Sequence, residues 1–445
     1  MEPIRVMGNQ FAAGDQPIML KGLGVGSWLN LEHFMMGVPG WDGDLRACLN
    51  QHSPQFMRRF TRNFFTAEDA RYIRSLGINF IRVPINHHLF WDDEQDIPNP
   101  FGFAQLSRLA KICMDSGLYF LPDLHTTPGG HNPDWHSECR TGSPQFWAFG
   151  CLRRRVVRIL GEIAVLLGDC PALLGYDLLN EPVLPQGHAA LLNDFYRDAV
   201  AAIRRHDANH IVFLEGDRFS MDFSAVAPLD DAQWAYTFHF YPGVWDARLL
   251  EAAMPAAQRK EALEGALAAI LGTMGGYQGP LLCGEMGYEL SCLPTSLGLE
   301  LTRMTIAALD ARGSGWCLWC YKDAGFMGLV YPAADSGWMR LVGNVRGRWD
   351  HHSAARLGQA AAEAIGKLCP YPLTALEQER FQFVIRAMVA QTDVTHILTE
   401  ALEALPPAVR ETLPDDFQWH CCARNAGLEA LLAEVCAQSM CCTAD

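Results

Sequence analysis

Two glutamates stand where short apolar runs stop. The first run, Gly175–Pro182, reads Gly-Tyr-Asp-Leu-Leu-Asn-Glu-Pro and ends on Asn180 and Glu181 before a proline. Proline offers no N–H to a neighbouring strand, so pairing ends there. The second run, Pro280–Gly287, reads Pro-Leu-Leu-Cys-Gly-Glu-Met-Gly and ends on Glu285. Two carboxyls delivered by the ends of two buried strands suit acid/base plus nucleophilic chemistry on a glycosidic bond. The acid must keep a proton near neutral pH, through burial or a neighbouring negative charge. The nucleophile must stay ionised, beside a cation or a hydrogen-bond donor.

Other polar residues end apolar runs in the same way. Arg82 lies near the end of Asn79–Pro84, His125 ends Leu121–His125, His239 and Tyr241 end Trp234–Tyr241, and Trp319 ends Gly315–Trp319. Arg82 is suited to hold Glu285 charged, and the Tyr241 hydroxyl to donate to the same carboxylate. Asn180 is placed for a sugar 2-hydroxyl, a contact that strengthens in the transition state. Trp319 offers an apolar face to a sugar ring, while His125 and His239 can donate to hydroxyls or tune the carboxyls. Glu215, ending Val212–Glu215, reads as a hydrogen-bonding or structural acid.

Further subsite candidates are Trp28, His88, Trp135, His136 and Trp245. His131, Trp135 and His136 around Asp134 read as a sugar-binding loop in preference to a metal cluster. His87, His88 and Trp91 are either subsite residues or loop packing, and Trp245 either a sugar platform or a surface aromatic. Each glutamate also has a bland alternative, the buried half of a structural ion pair.

The elements that must position these side chains alternate regularly. Apolar strand-like runs fall at Leu20–Gly26, Ile78–Pro84, Leu118–His125, Leu173–Glu181, His210–Glu215, Trp234–Tyr241, Pro280–Glu285 and Gly315–Trp319. Between them, Thr66–Ser75, Phe103–Ser116, Gln145–Leu167, Ala189–His206, Gln258–Met274 and Ser296–Ala311 carry apolar residues at helical spacing, and His351–Leu368 follows the last strand. The fifth connection, Asp217–Leu229, is the weakest helix. Eight such units in series specify a TIM (β/α)8 barrel, whose chemistry lies at the carboxyl ends of its strands. Residues 4–20 read as a two-stranded β-hairpin lid over the closed end. Two long loops, Ser27–Phe65 and Tyr321–Asp350, emerge on the catalytic face and carry aromatics that can wall a pocket. The barrel is expected to occupy residues 1–369. Residues 370–445 form a helical C-terminal extension, broken at Pro406-Pro407, that packs on the barrel or on a partner subunit.

Composition narrows the partners. A chain of 445 residues, 49% hydrophobic, can bury one large core. A net charge of −15 disfavours a phosphate backbone or an anionic membrane and suits a neutral carbohydrate. Fifteen irregularly spaced cysteines do not read as a secreted disulfide framework. No signal peptide and no membrane-length apolar run is visible, so a reducing cytoplasm is expected. Cys317 and Cys320 are read as core thiols, and the pairs Cys421-Cys422 and Cys441-Cys442 as free thiols. A monomer or a homodimer is expected.

In order, Arg82, His125, Asn180-Glu181-Pro182, His239 with Tyr241, Glu285 and Trp319 resemble the motif set of glycoside hydrolase family 5. This is the cellulase-related family of retaining β-glycosidases. The resemblance spans roughly residues 4–368 and leaves the tail uncovered. It implies Glu181 as acid/base and Glu285 as nucleophile, with no metal or cofactor. Substrates expected from it are β-linked glucosides or mannosides. The long first and eighth loops and the missing secretion signal favour exo action on short oligosaccharides or glycosides over endo cleavage of glucan or mannan. A non-catalytic sugar-binding barrel and a transglycosylase are the competing readings.

Overall fold

A computed structural model describes residues 1–441, with side chains described except at 390–395 and 438–441. Eight parallel strands close a barrel: Lys21–Gly24, Phe80–Ile85, Tyr119–Leu124, Gly175–Asp177, Ile211–Glu215, Trp234–Phe240, Leu281–Met286 and Gly315–Leu318. Nearly every residue of these strands is buried, as expected where one face meets the barrel interior and the other a helix. The fourth strand is the shortest. Beyond Asp177 the chain leaves the ladder, yet Leu178 N–H still donates to Phe213 O at 3.3 Å and Asn180 N–H to Leu124 O at 3.0 Å. Asn180 and Glu181 thus reach the rim as an anchored extension of the strand.

The outer helices begin and end where local chemistry dictates. Ala67–Ser75 starts at a capping box in which Thr66 and Asp69 exchange hydrogen bonds. Pro100–Ser116 has Asn99 as its cap, proline in its first turn and Gly117 at φ +67° beyond its end. Gly150–Leu167, Ala189–Arg204, Ala256–Gly272, Thr295–Asp310 and Ser353–Leu368 complete the set. The fifth connection holds only the turn Asp217–Ser220, with Arg218 and Phe219 at φ +54° and +59°. That turn folds the chain back over Glu215.

Two expectations are corrected. The N-terminal lid has three strands, Ile4–Met7, Gln10–Ala13 and Gln16–Pro17, because Gln10–Ala13 is itself a pairing strand between two turns. It caps the barrel floor, where Ile4 and Phe11 join Leu20, Phe80, Phe213 and Leu282 in one buried cluster.

The tail packs on the barrel, but it is neither purely helical nor a separate unit. Cys422–Arg424 pairs antiparallel with Val330–Pro332 of the eighth loop. Phe417 packs on Phe60, Phe64 and Trp338. Buried Lys322 ties the pieces together, donating to Phe64 O, Phe417 O and Asp69 Oδ1 at 2.6, 3.0 and 2.8 Å. Residues 398–436 therefore contribute to the same hydrophobic core as the barrel helices. Helix Ala375–Asp393 lies against Ser353–Leu368.

Cys317 and Cys320 are buried, and Cys421 and Cys422 are partly so. Cys442 and the Cys441 side chain lie outside the described residues. Among the described residues no helix is long and apolar enough to cross a membrane.

Candidate active site

Arg82 is the hub of the barrel's open end. Fully buried, it places Nε 2.9 Å from Asp177 Oδ2, Nη1 2.5 Å from Glu285 Oε1, and Nη2 2.8 Å from Asn180 Oδ1. The same Nη2 lies 3.0 Å from Glu215 Oε1 and 3.2 Å from Asp123 Oδ2. A buried guanidinium is tolerated only when it is matched by charge and hydrogen bonds. Burial alone would lower its pKa, but Asp123, Asp177, Glu285 and Glu215 together raise it well above the usual value.

Glu285, at the end of the seventh strand, receives donors on both oxygens. Arg82 holds Oε1, and the Tyr241 hydroxyl lies 2.8 Å from Oε2. His239 Nδ1 is 3.6 Å from that same oxygen.

Glu181 is held differently. Its φ of +50° is a left-handed conformation rare for a residue other than glycine, and sparser still before proline. The backbone is clamped on both sides: its N–H donates to Glu215 Oε2 at 2.6 Å, and its carbonyl accepts from Asn132 Nδ2 at 2.9 Å. The clamped backbone aims the side chain at two imidazoles, with His239 Nδ1 2.7 Å from Oε1 and His136 Nε2 3.0 Å from Oε2. Burial pushes the Glu181 pKa up, but the two histidines outweigh it and hold the carboxyl below the usual range. His239 is itself pushed well above the ordinary histidine value; burial opposes this, while Glu285, Glu215 and Glu181 drive it.

His125 stacks parallel to Trp319, with ring centres 6.0 Å apart. Its Nδ1 lies 2.6 Å from Asp123 Oδ2 and its Nε2 3.4 Å from Glu32 Oε1. Burial would lower its pKa, yet Asp123 and Glu32 raise it to about 10.

Arg82, His125, Asn180, Glu181, His239, Tyr241, Glu285 and Trp319 thus converge on one site, and His136 joins them directly. Trp135 stands at the rim, packed edge-on against His33 at 4.2 Å. The remaining candidates fall elsewhere. Trp28 is fully buried with Nε1 donating to Thr61 O at 2.8 Å, which makes it a core residue of the first loop. His88 pairs with Asp93 at 3.1 Å, on a loop outside this constellation. Trp245, 60% exposed, ends the surface turn Pro242–Trp245.

Sequence reasoning missed Asp123, Asp177, Glu32 and Ser220. A charged residue inside an apolar strand, as at Asp123 and Asp177, was an available signal, because such a group needs a buried partner. Glu32 and Ser220 come from loops and carried none. Ser220 Oγ donates to Glu215 Oε2, fixing the clamp on Glu181. Asp123, Asp177 and Glu215 converge as a cation site would, and Arg82 supplies the cation. One ligand atom each from Glu181, His239 and Glu285 lie within 4.8 Å of one another.

Comparison with known proteins gives the same direction. Residues 48–325 match the model of the cellulase family, glycosyl hydrolase family 5. A beta-xylosidase of Phanerodontia chrysosporium is 34% identical over 362 residues, which is 77% of this chain and 75% of that protein. A probable glucan 1,3-beta-glucosidase A of Aspergillus fumigatus is 27% identical, over 44% of this chain and 49% of its own length. Among solved structures, Thermotoga maritima Cel5A in complex with mannotriose superposes with a TM-score of 0.53 at 16% identity, covering 70% of this chain and 92% of its own. AoRut does so at 0.56 and 17%, covering 69% and 89%. At such identities the likeness carries the fold, while the family model and the xylosidase carry the relationship. The chain is an O-glycosyl hydrolase and belongs to glycosyl hydrolase family 5.

Proposed function

We propose that the protein is a retaining β-glycosidase acting by double displacement, with Glu285 as nucleophile and Glu181 as acid/base. The observation that carries this reading is the closeness of the two carboxylates, an oxygen of each lying within 4.8 Å of the other. Retaining sites hold their carboxyls about 5–5.5 Å apart, whereas inverting sites leave roughly 6.5–9.5 Å for a water.

In the first step Glu285 attacks the anomeric carbon while Glu181 protonates the departing oxygen. In the second, the Glu181 carboxylate takes a proton from water as that water attacks the glycosyl ester, and Glu285 leaves. Arg82 and Tyr241 keep Glu285 hydrogen-bonded for both. The free site holds Glu181 ionised through His136 and His239. A leaving-group oxygen entering between them loosens those hydrogen bonds, and burial then favours the protonated acid.

Exo action on short glycosides is part of the proposal. Only 13% of the Glu181 side chain and 7% of that of Glu285 are exposed, which suits a pocket rather than an open cleft. The sugar is a β-linked glucoside, mannoside or xyloside. The xyloside is included because the xylosidase relative shares three quarters of its length with this chain.

The test is proton NMR of the first product released from aryl β-glucoside, β-mannoside and β-xyloside. Retention predicts the β-anomer first, followed by mutarotation. The α-anomer appearing first would overturn the mechanism, and mid-chain cleavage of soluble glucan or mannan would overturn the exo assignment.

A further inference from the structure

Four groups of histidines and carboxylates in the described residues are compact enough to ligate one ion. Two belong to the catalytic centre and its Arg82 hub. In the third, His87–His88–Asp93, Arg155 Nη1 lies 2.7 Å from the carboxylate and already supplies its counter-charge. The fourth, Glu289 with His351 and His352, is different. It joins the loop after the seventh barrel strand to the entry of helix Ser353–Leu368, and among the described residues Glu289 forms ion pairs with the two imidazoles and with no arginine or lysine.

Its geometry matches a small tetrahedral ion. Glu289 Oε2 lies 3.2 Å from His351 Nε2 and 3.4 Å from His352 Nε2. An ion with bonds of roughly 2.0–2.1 Å to nitrogen and oxygen sets neighbouring donors about 3.3 Å apart along a tetrahedral edge. Cys292 Sγ is close by but outside this compact group: it donates to the other carboxylate oxygen, Glu289 Oε1, at 3.0 Å and would have to turn toward the ion to become a fourth ligand. Two imidazoles, a carboxylate and a thiol form the donor set of zinc and similar transition ions, not of calcium or magnesium.

We propose that Glu289, His351 and His352 form a zinc-class metal site that ties the seventh loop to the last barrel helix, with Cys292 turning in as its fourth ligand. The thiol releases its proton on binding, and both histidines bind through Nε2. The site abuts the catalytic rim, because the His351 ring packs on Phe326 at 5.3 Å and on Phe34 at 6.1 Å. Phe34 and Phe326 in turn pack against the cluster that contains Trp319. A bound ion would therefore stiffen the aromatic wall of the sugar site without entering the chemistry.

The experiment uses the full-length enzyme, stripped with a chelator and dialysed. Zinc is titrated calorimetrically into the wild type and into Glu289→Gln, His352→Ala and Cys292→Ser at neutral pH. His352 and Cys292 are exposed, so these variants should fold. The expected result is one zinc per chain, a melting temperature raised by several degrees, and at least tenfold weaker binding in Glu289→Gln and His352→Ala. Cobalt gives a second readout: a thiolate-to-metal absorption band in the wild type that is absent in Cys292→Ser. No binding by the wild type, or equal affinity in all four proteins, would overturn the site. A cobalt band that survives Cys292→Ser would remove the thiol from it.

Discussion

His239 Nδ1 lies 2.7 Å from Glu181 Oε1 and 3.6 Å from Glu285 Oε2, so a single imidazole touches both carboxylates. His136 grips the other oxygen of Glu181. Two donors on one carboxylate favour its charged form, and removing one must raise its pKa. His136→Asn is therefore expected to move the alkaline limb of kcat/KM upward by about one pH unit, since the acid keeps its proton to higher pH. An unmoved limb would separate His136 from the acid.

The two glutamates are distinguished by leaving group. Glu285→Gln should lower kcat by roughly a thousandfold or more on every substrate while the melting temperature stays near that of the wild type. Glu181→Ala should spare substrates with good leaving groups, such as dinitrophenyl glycosides, because they need little protonation. Poor leaving groups should lose most of their rate. Equal losses across the series would contradict the acid assignment.

Fully buried Arg82 is the cation shared by Asp123, Asp177, Glu215 and Glu285. Arg82→Met removes the cation these carboxylates share and is expected to destabilise the fold by about 3–5 kcal/mol, readable as a lower urea midpoint. Arg82→Lys should recover part of the stability but little activity, since an ammonium cannot reproduce the planar fork.

His125 links pH to stability. Its pKa is raised from 6.5 to about 10 by Asp123 and Glu32, against the effect of burial. Its stabilising contribution is thus fully present below about pH 6.5 and declines as pH rises toward 10. The melting temperature of wild type minus that of His125→Asn should shrink between pH 6 and pH 10. A difference that is flat with pH would show that the ring is neutral in the folded protein.

Truncation after Pro370 removes Phe417, the strand Cys422–Arg424 and two carbonyl acceptors that cap Lys21 Nζ, those of Val435 and Cys436. The shortened chain is expected to be insoluble or molten, as judged by near-ultraviolet circular dichroism. Phe417→Ala in the intact chain should cost about 3–5 kcal/mol and leave KM unchanged.

Much of this protein is set by local pattern. Apart from Asp177, the runs ending in Glu181 and Glu285 are apolar on both faces, as a strand buried between barrel interior and helices requires. Their terminal polar residues can then emerge only at the rim. Series order and helical spacing were enough for the eight units, because each unit is stabilised largely by its neighbours. What residue pattern could not show lay in contacts between segments far apart in the chain. Trp28 reads as a subsite candidate in sequence but is buried against the helices of its own loop. The tail reads as separate amphipathic helices, yet Lys322 and Phe417 bring it into the barrel's core. Glu215 became the clamp on Glu181 only because the left-handed turn at Arg218 and Phe219 folds Ser220 back onto it. Charge partners such as Asp123, Asp177 and Glu32 are chosen by distance in space, over which spacing along the chain has no control. The sequence by itself thus determined the barrel, the two carboxyls and the Arg82 and Tyr241 partners of Glu285; only the tertiary structure decided that His136 and His239 hold Glu181 and that Asp123, Asp177 and Glu215 gather around Arg82, because those contacts join segments far apart in the chain.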